Sequence, residues 1–179
     1  MDFQQPHLRA RGLSMPVNNV TRLLASRKIA YTAFELPPEK FGAIETARRL
    51  GVPAEIVFKT IVVKREKPDK PLLVVIPGTH AVDLKLLAAS IGAKKVTLPT
   101  QREAEQLTGL QAGGISPLAL INKGFQVILD QAASQHEQIH ISGGQRGLNI
   151  RLPVKALVEL TRARIAAVSS PMENPVDEE

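Results

Sequence analysis

The sequence has no cysteine, which excludes a disulfide framework, a thiol nucleophile and every thiolate metal site. It also has no tryptophan and one tyrosine, and aromatic residues make up only 3% of the chain. A core must therefore be assembled from Val, Ile, Leu and Ala, which fill layered sheets and helices well. No run approaches the roughly 18–20 apolar residues of a membrane span. Residues 1–14 are polar, carry Arg9 and Arg11, and lack the apolar stretch of a secretory signal. These absences predict a cytoplasmic protein without membrane association, with a flexible leader over residues 1–15.

Familiar catalytic signatures are missing as well. His7, His80, His136 and His140 form no HExxH arrangement, and there is no Gly-x-Ser-x-Gly elbow. His80 stands in a loop, as either a base or an ordinary exposed histidine. His136 and His140 have helical spacing in a stretch that reads as loop and strand, which does not suit a metal pair. Neither a metal nor a cofactor is expected.

What remains is a chain of 179 residues, 44% hydrophobic, enough for one domain of the common size of roughly 100–150 residues. The formal charge is +6; because the last seven residues hold four acids and no base, the preceding 172 carry +10. An excess of that size suits a polyanionic partner, although many basic proteins bind no nucleic acid. The acidic end, residues 169–179, is expected to be disordered.

Val17, Val20, Leu23 and Leu24 recur at helical spacing after Pro16. Residues 29–36 read as extended and stop at Pro37-Pro38. A short helix over 44–50 is closed by Gly51. Strands over 57–64 and 72–77 flank a charged turn and predict a hairpin. Asp83 caps a helix ending at Gly92, and a strand covers 94–98. Thr100 to Glu103 fits a capping box for a helix ending at Gly109. Strands at 125–130, 138–142 and 148–152 follow, then a helix over 153–164 with Pro in its tolerated first position. Interspersed helices and strands without a regular βαβ rhythm predict an α+β domain with a mixed sheet.

Three segments carry chemistry. In the strand at 57–64 both faces are largely apolar, so Lys59 either snorkels outward or stands at the wall of a cleft, where its ammonium meets a phosphate or hydroxyl. The consecutive glycines Gly113 and Gly114 read as a tight turn or as a loop whose backbone approaches a ligand and offers amides to a carbonyl oxygen. In the loop from Ser142 through Gly143 and Gly144 to Arg146 and Gly147, a Walker ending is absent. This loop is a simple hairpin turn or the opposite rim of a cleft, with Ser142 fixing a ligand and Arg146 meeting RNA phosphate.

Taken in order, Phe41-Gly42, Phe58-Lys59-Thr60, residues 92–96, Thr108-Gly109, residues 113–118 and residues 142–148 resemble the YbaK family. Its members are free-standing relatives of the editing domain inserted in some bacterial prolyl-tRNA synthetases. The resemblance covers roughly residues 17–166. It implies a single α+β domain over residues 16–168, whose mixed, mostly antiparallel sheet is partly barrel-like and surrounded by helices. It also implies hydrolysis of the ester joining a wrong amino acid to the terminal adenosine of tRNA, with tRNA, and a prolyl-tRNA synthetase, as candidate partners. Lys59 matches the family's essential lysine and would position the nucleotide or ester. Gly113 and Gly114 would hold the aminoacyl carbonyl or amine, and Ser142 would help close the site. Phe41, Gly42, Thr60, Ile115, Ser116, Gly143, Gly144, Arg146 and Asn149 would bind substrate.

The chain departs from the family pattern in places. Leu110 stands where an aromatic often follows Thr-Gly, Asn149 where an Asp is common, residues 119–123 replace a basic segment, and Leu36 lies near an expected Tyr. These positions bear on which amino acid is removed. Two other classes fit the same residues: a noncatalytic module that holds a nucleotide or acceptor end, and a hydrolase of small aminoacyl esters or nucleotides.

Overall fold

The structure, a computed structural model, describes residues 17–66 and 68–177. The predicted leader with His7, Arg9 and Arg11, together with Pro16, Lys67, Glu178 and Glu179, lies outside them. The chain runs α1 (Asn19–Ser26), β1 (Thr32–Glu35), α2 (Ala43–Leu50), β2 (Phe58–Arg65), β3 (Leu72–Pro77), β4 (His80–Val82) and α3 (Leu84–Ser90). It continues through β5 (Val96–Thr97), α4 (Gln101–Thr108), β6 (Gln126–Asp130), β7 (Gln138–Ser142), β8 (Leu148–Pro153), α5 (Val154–Thr161), β9 (Arg164–Ala166) and β10 (Ser169–Pro171).

β3 is buried at all six positions, because its sheet is covered on both faces. On one side Leu73 and Val75 join Phe58 and Val62 of β2 and the inward residues Ile139, Ile141, Ile150 and Leu152 of β7 and β8. On the other, Leu72, Val74 and Ile76 pack with Val63 and with Leu87 of α3. Each such side chain contributes about 1.5–3 kcal/mol on leaving water. β2 and β3 form the expected hairpin, with Phe58 opposite Pro77 and Val63 opposite Leu72.

The order of the larger sheet is β5-β2-β3-β6-β9, and β1-β8-β7 and β10-β4 form smaller ones. β3–β6 and β6–β9 pair parallel while the remaining ladders are antiparallel. The fold is thus a mixed, mostly antiparallel α+β domain, and among the described residues its sheets do not close into a barrel. Beside the core they share, the two main sheets are also linked by an isolated bridge between Val57 and His140. Among the described residues no helix is long and apolar enough to cross a membrane.

Local signals set several ends as expected. Gly51 closes α2 at φ 69°, and Thr100 and Glu103 form a reciprocal capping box on α4. Two expectations are corrected. The last helix does not reach residue 164: Arg162 turns left-handed at φ 55°, and residues 164–166 pair with β6 instead, where Ile165 lies beside Leu129. Nor is the chain disordered from Ser169. Residues 169–171 pair with β4, Val168 donates its amide to Asp130 Oδ1 at 3.1 Å, and the Asp177 carboxylate accepts the amides of Ile44 and Glu45 at 2.8 and 3.0 Å. At three residues each, both strands are too short to show a period. Their partners are distant in sequence.

Candidate functional site

β2 is paired with β3 along most of its length, but β5 covers its outer edge only at Lys64 and Arg65. Beyond that point the edge faces a cleft of about 310 Å³. Lys59, Thr60 and Ile61 form one wall, and the chain entering α2, from Lys40 to Ala43, forms another. Gly113 and Ile115 close a third side, and Ser142 and Asn149 reach in from β7 and β8. Residues from five separate stretches of sequence therefore share one concavity.

Lys59 is half-buried on its strand, as a side chain at a cleft wall would be. Phe41 is held by the Arg49 guanidinium, 4.2 Å from its ring centre. Ser142 lies with its hydroxyl 3.5 Å from the Gly113 carbonyl oxygen, a contact at the outer limit of a hydrogen bond. Its hydroxyl also accepts the Gly144 amide at 3.3 Å. The two glycine-containing loops thus touch, with Ser142 loosely tied between them and able to turn toward a ligand.

Five of the residues expected in the site do not line the cleft. The Gly114 amide donates to Gln111 O at 2.8 Å, so it is spent within the turn. Ser116 is fully buried and caps the following turn through Leu118 N at 3.2 Å. The Gly143 amide donates to Leu148 O at 2.7 Å, closing the β7–β8 hairpin; Gly144 lies against Val20. Arg146 donates its Nε to Ala112 O at 2.7 Å. That contact staples one loop to the other and turns this edge of the guanidinium inward.

Other residues of the cleft carry no sequence signal. Lys40 donates to Gln101 Oε1 at 2.7 Å, joining the entry of α2 to the start of α4. Asp177 lines the cleft too, and a Cβ at Gly42 would stand 2.2 Å from its carboxyl carbon. Only the position of Lys40 beside Phe41-Gly42 could have pointed to it. His80, a candidate base, shares a hydrogen bond with Ser169 Oγ at 2.8 Å between β4 and β10, away from the cleft. Among the described residues no cluster of His, Asp or Glu has the arrangement of a metal site.

The cleft therefore presents ammonium, hydroxyl and side-chain amide groups beside a glycine-containing loop. Among the described residues its lining contains no histidine, and its carboxylates are Glu39 and Asp177, the latter engaged by α2. Such equipment suits holding and polarising an already reactive substrate better than generating a strong nucleophile.

Residues 37–160 match the aminoacyl-tRNA editing domain family. A protein of Enterococcus faecalis, provisionally named a Cys-tRNA(Pro)/Cys-tRNA(Cys) deacylase, EbsC, is 33% identical over 154 residues, covering 85% of this chain and 93% of that one. Among solved structures, one described as a hypothetical protein superposes with a TM-score of 0.78 at 25% identity, over 86% of this chain and all of the other. Another, provisionally described as a trans-editing enzyme for prolyl tRNA synthetase, has a TM-score of 0.73 at 24% identity, over 87% and 99% of the two chains. At that identity the likeness is one of fold.

Proposed function

The chain belongs to the aminoacyl-tRNA editing domain family, and from that premise we propose that it is a deacylase acting in trans on mischarged tRNA. The observation that carries this reading is the gathering of Lys59, Gly113, Ser142 and Asn149 around one cleft, although 90 residues separate the first from the last.

In this reading the Lys59 ammonium holds the terminal nucleotide or the ester and does not attack. Ser142 and the backbone at Gly113 fix the aminoacyl group. An aminoacyl ester is labile, so orientation and charge stabilisation supply much of the acceleration. Water is activated by the substrate itself, through its ribose hydroxyl or its amine. The provisional name of the Enterococcus faecalis relative supports the choice of a cysteinyl substrate for this chain. There the thiol attacks the carbonyl carbon, the ester C–O bond breaks, and the thiol proton passes to the departing ribose oxygen, leaving a thiolactone without consuming water.

The purified protein is expected to discharge at least one of a panel of mischarged tRNAs. Lys59→Ala lowers kcat/KM on that substrate at least about 100-fold, the scale of one lost charge-stabilising contact. Binding across the panel without discharge would instead favour a noncatalytic acceptor-end module. Equal rates on a minimal aminoacyl ester would favour a small-ester hydrolase. The solved neighbour named for prolyl tRNA synthetase makes that enzyme the first partner to test by co-purification.

A further inference from the structure

We propose that His140 is a positioning residue of the cleft: its Nδ1–H donates to Asn149 Oδ1 and so directs the Asn149 amide NH2 toward the substrate. The proposal rests on the deacylase reading for its kinetic consequence but not for its geometry.

Side chains alternate along β7, so Ile139 and Ile141 enter the core while His140 and Ser142 share the opposite face. Across the ladder Ser142 stands opposite Asn149, and His140 opposite Arg151. His140 and Asn149 are therefore diagonal neighbours on one face, within reach of each other. Their Nδ1 and Oδ1 atoms are 2.9 Å apart. The two residues are only 1% and 5% exposed.

The direction of that hydrogen bond follows from the other ring nitrogen. His140 Nε2 is buried and, among the described residues, has no hydrogen-bond partner. If Nδ1 accepted from the Asn149 amide, the single proton of the neutral ring would sit on Nε2 as a buried, unpaired N–H. Orphaned N–H groups of that kind are rare and costly. A proton on Nδ1 leaves only a bare lone pair at Nε2 and makes Asn149 Oδ1 the acceptor. Burial lowers the imidazole's pKa and so favours its neutral form; the Asn149 bond opposes this and the nearby Arg151 charge reinforces it.

The ring is also fixed by packing. Phe34 lies 5.3 Å from it, centre to centre, and Arg151 in turn sits 5.6 Å from the Phe34 ring and donates to Thr32 Oγ1 at 3.2 Å. Asn149 lines the cleft beside Ser142. With its oxygen engaged by His140, what the side chain has left to offer a ligand is N–H donors. An unlocked amide would present its oxygen to the same ester in its flipped orientation, repelling the negative charge that develops there.

His140→Phe, which keeps the ring and removes the donor, is expected to lower kcat about tenfold with KM within twofold. Asn149→Ala lowers kcat at least as far, toward the ~10²–10³ of a lost oxyanion donor. The double variant is no slower than Asn149→Ala, because the two act as one unit. Wild-type kcat in His140→Phe, or losses that multiply in the double variant, would overturn the proposal. Should His140→Phe fail to fold, His140→Asn, which keeps a donor at the Nδ1 position, is compared with His140→Leu, which does not. A higher kcat in the Asn variant supports the proposal and equal values refute it. If the wild-type protein discharges no aminoacyl-tRNA, the deacylase reading fails by itself. ¹⁵N NMR of the histidine ring then decides the geometry: an Nδ1–H tautomer at neutral pH supports it, and an Nε2–H tautomer overturns it.

Discussion

Gly51 and Gly114 show how one residue type answers two different physical needs. Gly51 has φ +69° with nothing within 4 Å of a would-be Cβ, so an alanine there meets only backbone strain, about 1 kcal/mol. At Gly114 a Cβ would stand 2.9 Å from Gln145 Cα and 3.0 Å from Arg146 N. Backbone cannot rotate away as a side chain does, so the two loops must separate. Gly51→Ala is thus expected to lower the melting temperature and leave KM unchanged. Gly114→Ala, costing about 1–3 kcal/mol by overpacking, lowers the melting temperature and also raises KM, as the loops that flank Ser142 move apart. Thermal melts and steady-state kinetics on the two variants distinguish these outcomes. From the sequence, Gly113-Gly114 is expected to let the backbone approach a ligand. What approaches Gly114 is the other loop.

At the scale of the element, α2 begins at Gly42, which has no side chain to cap it. The missing acceptor comes from Asp177, whose carboxylate takes two first-turn amides. Asp177→Ala is expected to remove about 1 kcal/mol and to speed hydrogen exchange at Ile44 and Glu45. Unchanged exchange there would show that the tail does not cap the helix in solution. The same turn carries Glu45, which bonds Arg48 and Arg49. The Arg48 hydrogen bond foremost, with the Arg49 bond and both positive charges, holds its carboxyl down to about 2 against a partly opposing desolvation. Because the folded-state pKa is depressed, the stabilisation is complete above the ordinary value of 4.5 and is lost as pH falls toward 2. These are solvent-screened surface pairs, and their contribution to stability is small. The stability difference between wild type and Glu45→Gln, measured by denaturant melts, is expected to be small at pH 7 and to shrink steadily below pH 4.5.

For the molecule as a whole, the +10 carried by the first 172 residues predicts that tRNA binding weakens with salt, log K falling linearly against log salt as phosphate counterions are released. Fluorescence titrations between low and physiological salt test this, and a flat line would remove the electrostatic case for tRNA. The sequence by itself determined most of the longer elements, the β2–β3 hairpin and the caps at Gly51 and Thr100, because apolar period, turn residues and capping are local. It also pointed to Lys59 and to the two glycine-containing loops, where a charge or a glycine interrupts the apolar pattern. It had no means of finding that Arg164–Ala166 leaves the helix to pair with β6, or that the acidic end returns to α2. Those choices depend on partners far away along the chain. Nor could it separate Ser142 from Gly143, or Gly113 from Gly114, as cleft and support. Only the packing of one loop against another decides which neighbour lines the cleft and which is spent holding it there.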